Sequence, residues 1–236
     1  MSVRDPGHEA NVALLREVVV KLGALADSLV FVGGCATGLL VTAVRAQAVR
    51  ATVDVDTVAR IETIGDYHAI ERRLEQQGFA RDHSPDAPIC RWVAGRLHLD
   101  VMPSNPRVLG FSNRWYPLAI ETAQPYALPD ACSIRLVTAP IFVATKLEAF
   151  RDRGRGDFVA SHDLEDIVTV IDGRAELIGE VASAPDALRT YLRDVLGPLV
   201  TNDRFLTALA GHLPGDGASQ GRLPLVIERF RKLAIG

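Results

Sequence analysis

The sequence has few cysteines, no long apolar run and no excess of positive charge. Its three cysteines, Cys35, Cys90 and Cys132, lie far apart, without the paired spacing of a zinc site or a disulfide framework, so we expect reduced thiols. No stretch reaches the roughly 18 to 20 consecutive apolar residues that a membrane-spanning helix needs. The first nine residues carry charges and no apolar run, unlike a secretory signal. We therefore expect a cytoplasmic protein that does not cross a membrane.

The net charge of −3 over 236 residues gives no overall field that would attract nucleic acid or anionic lipid. Two local basic clusters are nevertheless present. They are Arg151, Arg153 and Arg155 in a loop with glycines, and Arg229, Arg231 and Lys232 near the end of the chain. Such runs are usually solvated faces. If both flank a cleft, they are candidates for contacts to the phosphates of an acceptor.

Apolar periodicity divides the chain into two halves. The first half predicts helices over 9–26, 35–45 and 65–77, and strands over 28–32, 53–58, 79–81, 89–93 and 96–102, the last two joined as a hairpin at Ala94-Gly95. A region rich in proline and aromatics follows, with short strands expected around 118–122. From Pro140 onward nearly every segment has helical spacing. We predict an α+β (α/β) fold with a mixed sheet in residues 1–130, followed by a helical C-terminal bundle in 131–236.

Three aspartates lie on the polar faces of two predicted strands. Asp54 and Asp56 are two residues apart, so both leave the same face of one strand with Cβ atoms roughly 6 to 7 Å apart. Asp100 and its neighbour His98 occupy the polar face of another strand. Two anions held so close repel, and a divalent cation between them removes the repulsion. If the strands are neighbours, the three carboxylates predict a site for Mg²⁺ or Mn²⁺ with Asp100 as general base or as ligand of a second ion. A strand with a solvated acidic face is the alternative.

A glycine pair, Gly33-Gly34, stands between a predicted strand and a predicted helix. Missing side chains let backbone amides approach a phosphate, and the start of a helix adds partial positive charge. The pair is also compatible with an ordinary strand-to-helix turn in which Gly33 has a positive φ.

Three sequence blocks combine these features in order. The first is Phe-Val-Gly-Gly-Cys-Ala at 31–36, followed by Arg-Ala-Thr-Val-Asp-Val-Asp at 50–56. The second is Leu-Asp-Val-Met at 99–102, and the third is Ala-Thr-Lys-Leu-Glu-Ala at 144–149 with Ser-His-Asp-Leu-Glu-Asp-Ile at 161–167. Together they resemble the nucleotidyltransferase superfamily related to DNA polymerase β, and within it the AbiEii- and MenT-type toxins of bacterial abortive-infection and toxin–antitoxin systems.

The resemblance implies a nucleotidyltransferase fold and the transfer of a nucleoside monophosphate from a nucleoside triphosphate to an acceptor hydroxyl, with pyrophosphate leaving. It implies Mg²⁺ or Mn²⁺ at Asp54, Asp56 and Asp100. The nucleotide-binding residues that it implies are Gly33, Gly34, Thr37, Arg50, Thr52, Lys146 and Asp163. In the toxin relatives the acceptor can be the 3′ end of tRNA, and a cognate antitoxin would be a partner. Gly34 stands where the commoner glycine-serine pair has its serine, whose hydroxyl would help to hold the γ-phosphate. Backbone amides or Thr37 would share that task in this sequence.

Lys146 is predicted to lie on a helix that faces the cleft, where its point charge can meet the β- and γ-phosphates. Asp163 and Asp166 follow at helical spacing. Asp163 is a candidate to orient Lys146 or a basic neighbour, while Asp166 could equally cap or pair within the bundle. A solvated helix lysine is the alternative for Lys146.

Other functions fit parts of the same sequence. The segment from Asp54 to Val58 also resembles the opening motif of haloacid-dehalogenase-type phosphatases, with the first aspartate as nucleophile and the second as acid, although Asp100 and the glycine pair then have no role. A nucleotidyltransferase-like domain could also serve as an inactive binding module. The acceptor could instead be a small hydroxylated molecule such as an aminoglycoside, or a protein side chain. No residue indicates the base preference.

Overall fold

The computed structural model of the protein describes residues 5–43, 48–130, 132–154 and 156–235. The elements in chain order are α1 (Pro6–Leu22), β1 (Leu29–Val32), α2 (Gly33–Leu40), β2 (Asp54–Ala59), α3 (Ile64–Gln76), β3 (Ala80–Arg81), β4 (Arg91–Ala94), β5 (Leu97–Pro103), α4 (Pro106–Leu109), α5 (Tyr116–Thr122), β6 (Gln124–Ala127), β7 (Ser133–Leu136), α6 (Ala139–Arg153), α7 (His162–Gly173), α8 (Leu177–Ala182), α9 (Asp186–Leu199), α10 (Asp203–Leu209), α11 (Gly217–Gln220) and α12 (Leu223–Ile235). Two short 3-10 helices, Gly23–Ser28 and Ala210–His212, extend α1 and α10.

The seven strands form one mixed sheet in the order β3-β4-β5-β2-β1-β7-β6. β2 is parallel to β5 and β1 is parallel to β7, while the remaining neighbours are antiparallel. β2 lies between β5 and β1 near the centre of the sheet, with Val55 and Thr57 fully buried on one face and Asp54 and Asp56 partly buried on the other. The mixed sheet followed by helices confirms the predicted fold class.

The chain forms two compact units. The sheet unit contains Pro6–Ala36 and Ala51–Thr138, and the helical unit contains the described parts of Met1–Asp5, Thr37–Arg50 and Ala139–Gly236. The sheet continues beyond the predicted division after residue 130, because β7 pairs with both β1 and β6. The described parts of Thr37–Arg50 precede that division in the chain but belong to the helical unit.

The helical unit confirms the helical character predicted for the second half. Its core includes a chain of aromatic contacts in which Phe158 lies between Phe150 and Phe205, and Phe205 contacts Phe230. The ring centroids are 5.4 to 5.8 Å apart, within the range that favours aromatic packing. In this unit α6 packs against α7, and α9 packs against α12. None of the helices described is both long and apolar enough to cross a membrane.

One local prediction was wrong. The segment 118–122 is not strand but lies in α5. Pro117 stands in the first turn of this helix, where a missing N–H costs nothing, and the adjacent residues Ala119 and Ile120 are both buried.

Candidate active site

The three aspartates of the sheet unit lie on neighbouring parallel strands. Asp56 on β2 is in register with Asp100 on β5, and Asp54 is in register with His98. Because side chains alternate along a strand, these four residues share one face of the sheet. Asp100 is almost completely buried, with 5% of its surface exposed, whereas Asp54 and Asp56 are partly buried.

Arg91 on β4 joins two of the carboxylates. Its Nε donates to Oδ1 of Asp100 at 2.8 Å, and its Nη2 donates to Oδ2 of Asp100 at 2.8 Å and to Oδ2 of Asp54 at 2.7 Å. One nitrogen thus contacts both carboxylates, so Asp54 and Asp100 lie on the same side of the sheet and close together. The hydrogen bonds to Asp100, together with the charges of both aspartates, raise the pKa of Arg91 above its ordinary value against the opposing effect of burial.

Sequence reasoning missed Arg91. The signal that could have identified it is the predicted hairpin, because pairing Ala94 with Leu97 across the turn places Arg91 opposite Asp100. An arginine directly across an antiparallel pair from an aspartate is within reach of its carboxylate.

Thr52 and Asn11 fix the conformation at the start of β2. The hydroxyl of Thr52 donates to Oδ1 of Asp54 at 2.7 Å, and the backbone N–H of Thr52 donates to Oδ1 of Asn11 at 2.9 Å. Asn11 is 1% exposed. Thr52, predicted to bind nucleotide, therefore orients a carboxylate in this structure, and its contact with nucleotide stays a prediction.

Gly33 lies directly against Asp56. It is the first residue of α2, so β1 passes into the helix with no separate turn, and it has φ +70°. A Cβ atom at this position would lie 2.5 Å from Cγ of Asp56, which is closer than van der Waals contact permits. The register of Val32 with Asp56 explains the approach. Gly33 is thus required both by backbone conformation and by the neighbouring carboxylate.

The other two residues predicted at the start of α2 are buried. Gly34 is the second residue of the helix and Thr37 is 1% exposed. The Thr37 hydroxyl oxygen is inaccessible to solvent and has no hydrogen-bond partner among the described residues. Its predicted role at a γ-phosphate stays a prediction.

The negative charges of this face affect the pKa of the Cys90 thiol. Burial raises the pKa of its thiol to about 12, with further increases from the charges of Asp100 and Asp56. The thiolate is the reactive form of cysteine, and the raised pKa disfavours it near neutral pH.

The carboxylates differ in how well they suit a divalent cation. Carboxylate oxygens are the ligands that Mg²⁺ prefers in proteins, and Asp54 and Asp56 present them from one face of one strand. Both oxygens of Asp100 accept hydrogen bonds from Arg91, whereas Asp54 accepts one from Arg91 and one from the hydroxyl of Thr52. In the described part of the chain, no group of three or more His, Cys, Asp or Glu side chains is arranged to hold a metal ion. The pair on β2 therefore fits one cation by donor type, and the role of Asp100 as a ligand stays a prediction.

A second charged cluster lies within the helical unit, between α6 and α7. Lys146 Nζ is 3.2 Å from Oδ1 of Asp163 and 2.6 Å from Oδ2 of Asp166. Arg153 makes a bidentate pair with Asp163, at 2.9 Å from Nε and 2.8 Å from Nη2. Lys146 is 7% exposed, so it is not a solvated helix lysine. Asp163 orients it, as the spacing suggested, and Asp166 pairs with it as well.

The surroundings of Asp163 favour its ionised form. Burial alone would raise its pKa, but hydrogen bonds from Arg153 and the charge of Lys146 outweigh burial and lower it. The first turn of α7 adds to this, because a carboxylate near a helix N-terminus interacts favourably with the helix dipole. Arg50, from the first sequence block, approaches the same turn, with Nε 3.5 Å from Oε2 of Glu165 and Nη2 3.7 Å from Oδ2 of Asp166.

The basic clusters have several local partners. Besides Arg153, Arg151 lies 3.5 Å from Glu148, and Lys232 pairs with Glu228 at 2.7 Å. Arg229 donates to the carbonyl of Ile171 at 2.8 Å near the end of α7. Arg231 is exposed, and Arg155 lies outside the described residues. A role for these side chains at acceptor phosphates stays a prediction, as does a single cleft shared by Lys146 and the three aspartates.

Comparison with known proteins gives limited similarity. Neither the protein-family models nor the curated proteins give a match to the chain. Among solved structures, the chain is similar to one described as "Crystal structure of putative nucleotidyltransferase from H. pylori", with 15% sequence identity and a TM-score of 0.45. The alignment covers 100% of this chain and 93% of the other. At this level the likeness carries no conclusion about activity.

Proposed function

We propose that the protein is a metal-dependent nucleotidyltransferase, which transfers a nucleoside monophosphate from a nucleoside triphosphate to an acceptor hydroxyl. The observation that carries the proposal is the group of three aspartates on adjacent parallel strands, with Gly33 closely packed against Asp56. This group is the one on which the family resemblance depends. In the reaction, the acceptor hydroxyl loses its proton to solvent and its oxygen forms a bond to the α-phosphorus. The bond from the α-phosphorus to the oxygen that bridges it to the β-phosphate breaks, and pyrophosphate leaves with that oxygen.

The residues of the sheet unit have different roles in this proposal. Asp54 and Asp56 would hold Mg²⁺ or Mn²⁺, which when bound orients the triphosphate and lowers the pKa of the attacking hydroxyl. Thr52 keeps Asp54 in position through the bond to Oδ1. The amides at Gly33 and Gly34, at the start of α2, suit phosphate oxygens because their N–H groups have no partner within the helix.

The residues of the helical unit would contribute positive charge. Lys146 and Arg50 are the groups that the resemblance assigns to the nucleotide, and Asp163 holds Lys146 in one conformation. The ion pairs with Asp163 and Asp166 offset the cost of burying the ammonium group of Lys146. A lysine fixed in this way is preorganised to meet the β- and γ-phosphates.

We propose a tRNA 3′ end as acceptor and a cognate antitoxin as partner on the resemblance alone. The phosphatase alternative has less support, since it gives no role to Asp100 or to Gly33, which is packed against Asp56.

The test is label transfer from each of the four radiolabelled triphosphates, with Mg²⁺ or Mn²⁺, into RNA, protein and small molecules. We expect label in one acceptor class with wild type, none with Asp56→Asn, and wild-type transfer with Asp86→Asn, which removes an exposed aspartate of the same unit. Label in no class would contradict the proposal and favour a binding module. Release of inorganic phosphate without label transfer would favour the phosphatase.

A further inference from the structure

Arg91 occupies a position for which the proposed reaction gives no role. A two-metal centre places a cation between the carboxylates of neighbouring strands. Here the guanidinium of Arg91 stands between Asp54 and Asp100, with nitrogen–oxygen distances of 2.7 and 2.8 Å. Only 16% of the Arg91 side chain is exposed.

We infer that Arg91 is an internal cation of this site, which takes the place of a second divalent ion and limits the site to one ion at Asp54 and Asp56. The inference rests on the proposed function in that it assigns roles within the same site. Asp100 then positions Arg91 and does not ligate metal.

The geometry of the Arg91–Asp100 pair supports this assignment. The pair is bidentate, and the planar fork of the guanidinium matches both carboxylate oxygens. A metal ion at Asp100 would compete with Arg91 for a nearly buried carboxylate and weaken the main contact of the guanidinium. Breaking such a pair is costly, because each charge has already lost its water.

Asp54 is in a different situation. Arg91 makes a single contact with it, through Nη2 alone, and 27% of the Asp54 side chain is exposed. A cation arriving from solvent can compete for this carboxylate without breaking the bidentate pair. The net charge of the site also agrees with one ion. The guanidinium of Arg91 neutralises one of the three carboxylates, and the two remaining negative charges balance a single divalent cation.

The experiment is a titration of the metal-free protein with Mn²⁺. Binding is measured by calorimetry and by the electron paramagnetic resonance signal of free Mn²⁺. Wild type is expected to bind one ion. Arg91→Met is expected to bind Mn²⁺ at least about tenfold more tightly or to take up a second ion, because a positive charge next to the site is gone. Arg96→Met, on the same hairpin with 79% of its side chain exposed, should behave as wild type.

A double variant covers the case in which Arg91→Met leaves Asp100 unpaired and does not fold. Arg91→Met/Asp100→Asn removes one charge of each sign, so the net charge of the site is unchanged. If Asp100 only positions Arg91, the double variant binds one Mn²⁺ with an affinity no weaker than about threefold below that of wild type. Loss of binding by tenfold or more would show that Asp100 is a ligand and overturn the inference.

The outcomes separate the two proposals. Two Mn²⁺ ions bound to wild type, or unchanged affinity in a folded Arg91→Met, would overturn the role of Arg91 and leave the nucleotidyltransferase proposal intact. If wild type binds no Mn²⁺, or binds it no more tightly than Asp56→Asn does, both proposals are overturned. Label transfer by wild type, measured in parallel, shows whether only the role of Arg91 is overturned or the nucleotidyltransferase proposal as well.

Discussion

Gly33 combines a left-handed backbone with a close approach to Asp56, and the two effects can be separated. Gly95 also has a positive φ, of +60°, but a Cβ there would meet nothing within 4 Å. The difference between alanine substitutions at the two positions therefore measures the contact with Asp56 beyond the cost of the backbone conformation.

We expect Gly33→Ala to lower the free energy of unfolding by about 2 kcal/mol or more, because a side chain there is strained in φ and overlaps the carboxylate. Gly95→Ala should cost about 1 kcal/mol, the price of the conformation alone. Urea unfolding of both variants measures this difference. Equal losses would mean that Asp56 moves aside without cost.

Asp56 carries the charge on which metal binding would depend. We expect Asp56→Asn to abolish nucleotide transfer while the protein still folds, because the substitution keeps the shape and removes one of several like charges. The melting temperature of the metal-free protein should hold or rise slightly, as measured by calorimetry. Full transferase activity in this variant would contradict the proposed function.

At the scale of elements, an ion-pair cluster joins α6 to α7, and all its members except the exposed Arg153 are buried. Lys146 and Arg153 come from α6, and Asp163 and Asp166 come from the first two turns of α7. Ser161 caps α7 by accepting a hydrogen bond from the amide of Leu164 at 3.3 Å, so helix start and charge cluster are fixed together.

We expect Asp163→Asn to lower the free energy of unfolding by about 3 kcal/mol near neutral pH, since it leaves Lys146 with one fewer partner in a buried site. Asp152→Asn, an exposed aspartate on α6, is the matched control and should change little. Urea unfolding measures both variants. A loss for Asp163→Asn no larger than for the control would show that the cluster contributes nothing to stability.

The same carboxylate predicts a pH dependence. The pKa of Asp163 is lower in the folded protein than its ordinary value of about 3.9. Its ionised form therefore stabilises the fold above about pH 4, and this stabilisation is lost as the pH falls through the folded-state pKa. The stability difference between wild type and Asp163→Asn should shrink as the pH falls below about 4 in urea titrations. A difference that grows on acidification would show the opposite shift.

At the scale of the whole molecule, nucleotide binding should raise the thermal stability of the protein. A ligand at about 100 times its Kd stabilises the native state by about 2.7 kcal/mol. For a chain of 236 residues that corresponds to a rise in Tm of about 5 to 10 °C. We expect at least one of the four triphosphates with Mg²⁺ to produce such a rise in wild type.

Two controls define this measurement. Asp56→Asn should show no rise with the same triphosphate, whereas Asp86→Asn should match wild type. The absence of a rise with any triphosphate at millimolar concentration would contradict a nucleotide-binding function for the molecule.

Local periodicity allowed much of the fold to be predicted from sequence. The alternation at 53–58 predicted β2, the turn at Ala94-Gly95 predicted the β4–β5 hairpin, and three- and four-residue spacing predicted the helices after Pro140. These patterns are local because a strand or helix presents one face to the core at a fixed period. Where the pattern was weak, as at 118–122, the expected strand was wrong and the segment is α5.

The sequence by itself determined which residues carry charge at the candidate site and which strands and helices bear them. Only the tertiary structure decided most of their partners. The hairpin register sets Arg91 opposite Asp100, but the contact of Arg91 with Asp54 requires the strand order that puts β5 between β2 and β4. Helix packing likewise encloses Lys146 between two aspartates of α7. Such pairings depend on contacts between residues far apart in the chain, which periodicity within one segment does not record.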